Sequence, residues 1–304
     1  MVPDAEFTSY YGRPIVKPSP WREDIPAYLF LGGLAGGSAL LGAGADVTGR
    51  PTLRRNSRLT ALGAIGLSLA ALVHDLGRPA RFLNMLRVAK PTSPMSVGTW
   101  ILTGFGPAVG VAAAAEFADR APRPLRGTLR FAGRPAGLAA ALLGPAVAAY
   151  TAVLISDTAT PTWHEGHREL PFLFVGSAAL ASGGMGMLTV PVPQAGPARR
   201  LAVGGVLLEL AAERRMESSL GIAAETLHDG TPGLLMRASK ALAVAGLAGT
   251  VFAGRDRRAA VAAGAALLAS SACTRFGIFY AGQHSARDPK YTVVPQRARR
   301  GVGR

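Results

Sequence analysis

Long apolar runs without a polar stripe, separated by short clusters of arginine, proline and glycine, dominate this chain. A helix on the surface of a soluble protein keeps one face polar, whereas the run 138–155 is apolar all round. A membrane span needs roughly 20 consecutive apolar residues at about 1.5 Å rise each. Eight segments come close to that length: 26–46, 58–76, 96–117, 135–156, 170–190, 198–219, 235–251 and 259–280. The pattern predicts an all-α integral membrane bundle of eight transmembrane helices over residues 26–280, with extramembrane segments 1–25 and 281–304. Residues 1–25 hold Asp4, Glu6, Arg13, Lys17, Arg22 and Glu23 but no apolar core, so the first helix is expected to direct insertion itself.

With eight spans both termini share one side, called side A, with the loops after helices two, four and six; side B holds the other loops. All five histidines (74, 164, 167, 228, 284), all three tryptophans (21, 100, 163) and all six tyrosines (10, 11, 28, 150, 280, 291) then fall at or near side A. Aromatic belts normally mark both interfaces, and a chemically active face covered by a partner accounts for the asymmetry. Side B carries 14 Lys/Arg in short loops against the acids Asp46, Glu116, Asp119 and Asp256, which favours side B as cytoplasmic. The net charge of +15 does not indicate nucleic acid, because runs such as Arg54, Arg55, Arg58 and Arg255, Arg257, Arg258 sit at helix ends, where lipid headgroups are their expected partners. The single cysteine, Cys273, excludes a disulfide or an iron–sulfur cluster built from this chain alone.

A faint repeat suggests two four-helix halves. Leu29-Phe30-Leu31-Gly32-Gly33 opens helix one and Leu173-Phe174-Val175-Gly176-Ser177 opens helix five, while His74-Asp75 and His228-Asp229 follow helices two and six. Chance similarity in such low-complexity sequence is an equal alternative.

The richest stretch is His74-Asp75-Leu76-Gly77-Arg78-Pro79, followed by Arg81, Phe82, Asn84 and Ser93-Pro94-Met95-Ser96-Val97-Gly98-Thr99-Trp100. A carboxylate beside an imidazole can pass protons between water and a redox-active headgroup; the plainer alternative is a solvated helix end. The glycines at 32, 33, 36 and 37 permit either close helix packing or a slot for a flat ring. Glu209 falls mid-span, with Glu213 and Glu217 on its face, and a carboxylate at that depth needs a partner, for which Arg275 is the candidate. The pair is read either as part of a proton route or as a structural ion pair. His164-Glu165-Gly166-His167 superficially suggests a metal site but fits a solvated or partner-facing loop better, so no metal is expected. No Walker loop and no nucleophile with its base stands out.

The His-Asp-Leu-Gly-Arg-Pro block, with Pro20-Trp21, Gly32 to Ser38, Tyr150-Thr151 and Ser156-Asp157-Thr158, resembles the NrfD-like membrane subunits typified by the polysulfide reductase anchor. The likeness spans almost the whole chain. It implies a haem-free membrane subunit that exchanges electrons between a quinone, with menaquinone the expected type, and a ferredoxin-like iron–sulfur subunit. That subunit serves a molybdenum or tungsten bis-pterin catalytic subunit of the formate dehydrogenase, thiosulfate or polysulfide reductase kind. The absence of haem agrees with five histidines at helix ends or in loops. In the family a tyrosine at about this place bonds a quinone carbonyl, and Tyr150 matches it, with Asp157 seven residues on and on the same face. The expected quinone site is Gly33, Gly37, His74, Asp75, Arg78, Tyr150 and Asp157; His74, Asp75 and Tyr150 carry the chemistry. A cell-membrane location follows, with the partner subunits on an extracytoplasmic side A. The rivals are a secondary transporter, which would place its ligands near the bilayer midplane, and a purely structural anchor.

Overall fold

Five of the long helices carry proline at their first or second position, where its missing N–H costs nothing and its fixed φ suits the first turn. The computed structural model describes residues 14–302, so Tyr10 and Tyr11 lie outside the described residues. In order, the helices are α1 (Asp24–Val47), α2 (Pro51–Asp75), α3 (Pro94–Ala115), α4 (Arg123–Ser156), α5 (Leu170–Thr189), α6 (Gly196–Ser219), α7 (Gly230–Phe252), α8 (Arg257–Arg287) and a tail helix α9 (Lys290–Val302). No strand occurs among the described residues. Short turns make successive helices antiparallel; Gly49, at φ 65°, turns the chain from α1 into α2 in a conformation that a side chain would resist. The described histidines, tryptophans and tyrosines accordingly gather at the end assigned to side A.

Seven of the eight long helices, all but α6, are long and apolar enough to cross a membrane. The exception holds Arg199, Arg200, Glu209, Glu213, Arg214, Arg215 and Glu217, yet it packs along the whole of α5. The protein is thus an all-helical, multi-pass membrane bundle. Several helices outrun their apolar segments: α2 begins at Pro51 instead of 58, α4 at Arg123 instead of 135, and α8 runs on to Arg287 instead of ending at 280. An apolar run marks only the lipid-crossing part, and arginine is a good helix former that continues the backbone beyond it.

The pairings repeat. In the first half α1 packs on α2, α3 on α4, α1 on α4 and α2 on α3; in the second α5 packs on α6, α7 on α8, α5 on α8 and α6 on α7. The halves meet mainly through α1 and α4 against α5. Gly36 of α1 and Gly144 of α4 put their backbones in direct contact, and a Cβ on either would collide with the carbonyl of the other. Gly37 lies equally close to Ser182 and the Ala178 carbonyl of α5. In lipid, where apolar surface gains nothing from leaving water, such close backbone approach is what holds helices together.

The arginines at the start of α2 depart from the headgroup-anchor expectation. Arg54 Nε and Arg58 Nη1 bond Glu116 Oε1 at 2.8 and 2.9 Å, and Arg54 Nη1 reaches Asp46 at 3.2 Å. Arg58 is buried, with its guanidinium in the space left by Gly137. These side chains staple α1, α2 and α3 from within, while Arg55 stays outside, 5.1 Å over the Phe117 ring. Arg257 acts similarly in the second half, donating to the free carbonyls of Met187 and Val190 at the end of α5.

Candidate functional site

The side A half of the first four helices holds an apolar groove of about 440 Å³ between α2 and α3. Leu62, Ile65, Gly66, Leu69 and Leu72 form one wall, and Thr99, Leu102, Thr103, Gly106 and Pro107 the other. The short helix Phe82–Met85, in the loop after the His-Asp block, closes the top with Phe82, Met85 and Leu86. That loop is pinned to α3 by Ser96 Oγ and Trp100 Nε1, which donate to the Val88 carbonyl at 2.9 and 3.2 Å. The groove exists because α2 and α3 are joined by a long connection and diverge, and because Gly66 and Gly106 contribute no side chain: a Cβ on either meets no atom within 4 Å.

Tyr150 of α4 lies behind this groove. It is 8% exposed, its ring rests on Gly98 of α3, and its hydroxyl has no partner among the described residues. Gly98 and Thr99 are adjacent, the first receiving the Tyr150 ring and the second lining the groove. Buried hydroxyls are nearly always bonded, so an unpartnered one marks a place where a ligand acceptor fits.

His74 and Asp75 end α2 beyond the groove's top. His74 Nδ1 lies 2.9 Å from Asp24 Oδ2 with its ring largely exposed, while Asp75 accepts the Arg22 N–H at 3.4 Å. Together they tie the start of α1 and the residue Arg22 before it to the end of α2, and Arg78 is exposed in the turn that follows. Asp157 occurs elsewhere on side A, in a cavity of about 460 Å³ with Thr158, His164 and Tyr291. Burial outweighs the neighbouring Lys290 ammonium and holds the Tyr291 phenol above its ordinary range.

A third cavity, about 640 Å³, sits under residues 18–23 and beside the ends of α7 and α8. There Trp21 stacks on Trp163 with ring centres 5.9 Å apart, Trp163 packs on Phe279 at 5.7 Å, and Trp163 Nε1 donates to the Ile278 carbonyl at 2.8 Å. Gln283 Nε2 clasps the crossing segment by its Ser19 and Trp21 carbonyls at 3.0 and 3.4 Å. Gly282 is required beneath the Trp163 indole, which occupies the place of any Cβ.

Among the second four helices, Glu209 is buried and its Oε1 accepts from Thr274 Oγ1 at 2.5 Å. The expected direct pair with Arg275 does not form: Arg275 turns toward α5 and α1, donating to the Phe174 carbonyl at 2.6 Å and lying 3.8 Å over the Phe174 ring. Gly33 makes room for that guanidinium, since its Cβ would stand 2.9 Å from Arg275 Nη2. Gly33 and Gly37 are thus filled by protein and leave no slot for a ring. From Glu209 the acids of α6 lead toward side A, with Glu213 and Glu217 each 3.5 Å from Lys240 Nζ, and Glu217 3.9 Å from His228.

His74, Tyr150 and Asp157 share side A, but the groove and the two other cavities there are separate, and none is lined by His74 or Tyr150. His164 and His167 are engaged by the carbonyls of Ser156 and His164, and no group of three metal-ligating side chains occurs among the described residues. Sequence reasoning missed the Trp21–Trp163 stack, for which no local signal exists. It also missed the Asp46–Arg54–Arg58–Glu116 network, for which one does: two arginines at i and i+4 facing acids at two neighbouring helix ends.

Compared with known families, residues 16–211, about two thirds of the chain, match the family described as Polysulphide reductase, NrfD. Among curated proteins, none matches the chain.

Proposed function

We propose, from the premise that this chain belongs to the polysulphide reductase NrfD family and is a membrane subunit of that type of redox complex, that it is the quinone-reactive subunit. The observation that carries the reading is the buried Tyr150 hydroxyl without a partner among the described residues, with its ring on Gly98, next to the Thr99 that lines an apolar groove between α2 and α3. Sites for flat lipophilic ligands are concave, mostly apolar and supplied with a few polar groups, and this region meets that description. A quinone bound there accepts two electrons and two protons to become the quinol. Tyr150 donates its phenolic proton in a hydrogen bond to a ring carbonyl, Leu69, Leu102 and Phe82 exclude water, and the groove leads the isoprenoid tail to lipid. His74 and Asp75, at the water-facing end of α2, hold protons for exchange with the site. Arg78 keeps that mouth cationic, and Asp157 with His164 lines a second polar opening.

Side A is the proposed docking face for a ferredoxin-like iron–sulfur subunit that connects to a molybdenum or tungsten bis-pterin subunit. Its support is the concentration there of aromatic and mixed polar side chains around the Trp21 cavity, a composition suited to protein interfaces. The 14 short-loop Lys/Arg of side B against four acids support a cytoplasmic side B in the cell membrane, although side A with its tails carries more Lys/Arg in total, and menaquinone is the proposed carrier. Gly106→Phe tests the groove: its added ring enters open space, so thermal stability should hold while affinity for a menaquinone analogue falls by about tenfold or more. Unchanged quinone affinity would remove the groove from the site.

A second reading adds to the first. The acids of α6, with Lys240 and His228, form a ladder from Glu209 to side A, and Arg275 lies at its inner end; these are the groups of a proton route. In proteoliposomes carrying the whole complex, Glu209→Gln should abolish the turnover-driven pH gradient and spare electron transfer. A gradient of normal size in the variant eliminates this route.

A further inference from the structure

The two halves repeat an arginine pair as well as their helix pairings. Arg54-Arg55 follows Pro51 at the start of α2, and Arg199-Arg200 follows Pro197 at the start of α6. The acids are not repeated. Asp46 near the end of α1 and Glu116 just after α3 neutralise Arg54 and Arg58, whereas the equivalent ends, Thr189 of α5 and Phe252 of α7, carry no carboxylate.

The second half has a groove of about 510 Å³ on side B in place of that staple, where α6 and α7 pack only loosely. Its wall is made by Arg50, Arg199, Arg200, Pro193, Val203 and Thr250, with no acid. Arg50 Nη1 donates to the Pro193 carbonyl at 3.0 Å, but the Nε atoms of Arg50 and Arg199 are buried without a protein partner. The acid in the adjoining turn, Asp256, is committed to capping α8, where it accepts the N–H groups of Arg258 and Ala259 at 3.0 and 3.3 Å. Three guanidinium groups therefore converge on a cavity at a membrane-facing helix end, and none of them pairs with a carboxylate among the described residues.

We propose that this groove binds the phosphodiester headgroup of an anionic phospholipid, which supplies to the second half the negative charge that Asp46 and Glu116 supply to the first. Guanidinium forks match phosphate oxygens two at a time, and basic pockets between spans take anionic headgroups. A lipid is favoured over free phosphate because an apolar path continues below the arginines. Val203 is followed one turn deeper by Leu207, 57% exposed, and Val244 of the neighbouring α7 is 52% exposed.

The test uses the full-length chain, purified in detergent and delipidated, then titrated with phosphatidylglycerol, phosphatidylcholine or inorganic phosphate. Bound lipid is counted by native mass spectrometry and thermal stability is followed in parallel. Phosphatidylglycerol should bind about tenfold or more tightly than phosphatidylcholine and raise the melting temperature, and the Arg199→Gln/Arg200→Gln double variant should lose that preference. Arg200→Gln alone changes an exposed side chain that makes no hydrogen bond or ion pair among the described residues, so it keeps the fold and should still weaken phosphatidylglycerol several-fold. Arg123→Gln, at an exposed arginine of the first half, should leave the preference intact. Equal affinity for the two lipids, or a preference that survives both groove variants, overturns the proposal. So does inorganic phosphate that fills the site as tightly as the lipid.

Discussion

Tyr150→Phe is expected to lower quinone-linked turnover by on the order of 100-fold while leaving the bundle as stable as before or slightly more so. The two halves of that expectation come from one fact: the hydroxyl is buried and bonds no group among the described residues. A buried polar group without a partner costs about 1–3 kcal/mol, so its removal cannot weaken the fold through a lost contact. The ring stays against Gly98 in the variant, because phenylalanine keeps the same shape. On the role proposed for Tyr150, what is lost is a donor to the oxygen that gains charge as the carrier is reduced, in a dry site where such a donor acts without reorganisation. Turnover of the purified complex with a menaquinone analogue, paired with a melting curve, checks both halves. Full turnover in the variant ends the role assigned to Tyr150. A large drop in melting temperature would show instead that the hydroxyl has a structural partner.

Glu116→Ala is expected to destabilise the first four helices by about 3–5 kcal/mol. Its carboxylate, with a side chain 5% exposed, accepts from Arg54 at 2.8 and 3.1 Å and from Arg58 at 2.9 Å. Truncation leaves three guanidinium groups sharing Asp46, which lies 3.2 Å from Arg54, 3.5 Å from the exposed Arg134 and 3.9 Å from Arg58, whose side chain is 8% exposed. An uncompensated buried charge is far more costly than a lost surface pair. Asp119→Ala provides the comparison, because Asp119 pairs with Arg130 at the surface and its loss should stay within about 0.5 kcal/mol. Denaturant unfolding of the two variants in detergent decides the matter, and equal losses would mean that the buried network holds nothing together.

The membrane character, the helix order and the clustering of aromatic and imidazole side chains at one end were legible in the chain because each depends on runs of 18 or more residues and on alternation of direction. The division into halves was hinted at by Leu29 to Gly33 and Leu173 to Ser177, and the matched helix pairings give it substance. Family membership followed from local blocks such as His74 to Pro79, and the match over residues 16–211 bears it out.

The roles of individual polar residues were less accessible. Gly33 and Gly37 read equally as a ring slot or a packing seam, and only the arrival of Arg275 and Ser182 from other helices fills them. Glu209 was expected to meet Arg275, one residue from its true partner Thr274; neighbours on a helix point about 100° apart, so one position selects a different neighbour. Arg54 and Arg58 looked like headgroup anchors because Glu116, the carboxylate that both bond, lies 62 and 58 residues further along the chain. By itself, then, the sequence determined that the chain is an all-helical membrane bundle and roughly where its long helices run, since hydrophobic length and charge placement act locally. Which carboxylate meets which guanidinium, and which hydroxyl is left without a partner, was decided only when eight helices packed, because those contacts depend on rotation and depth that no single segment encodes.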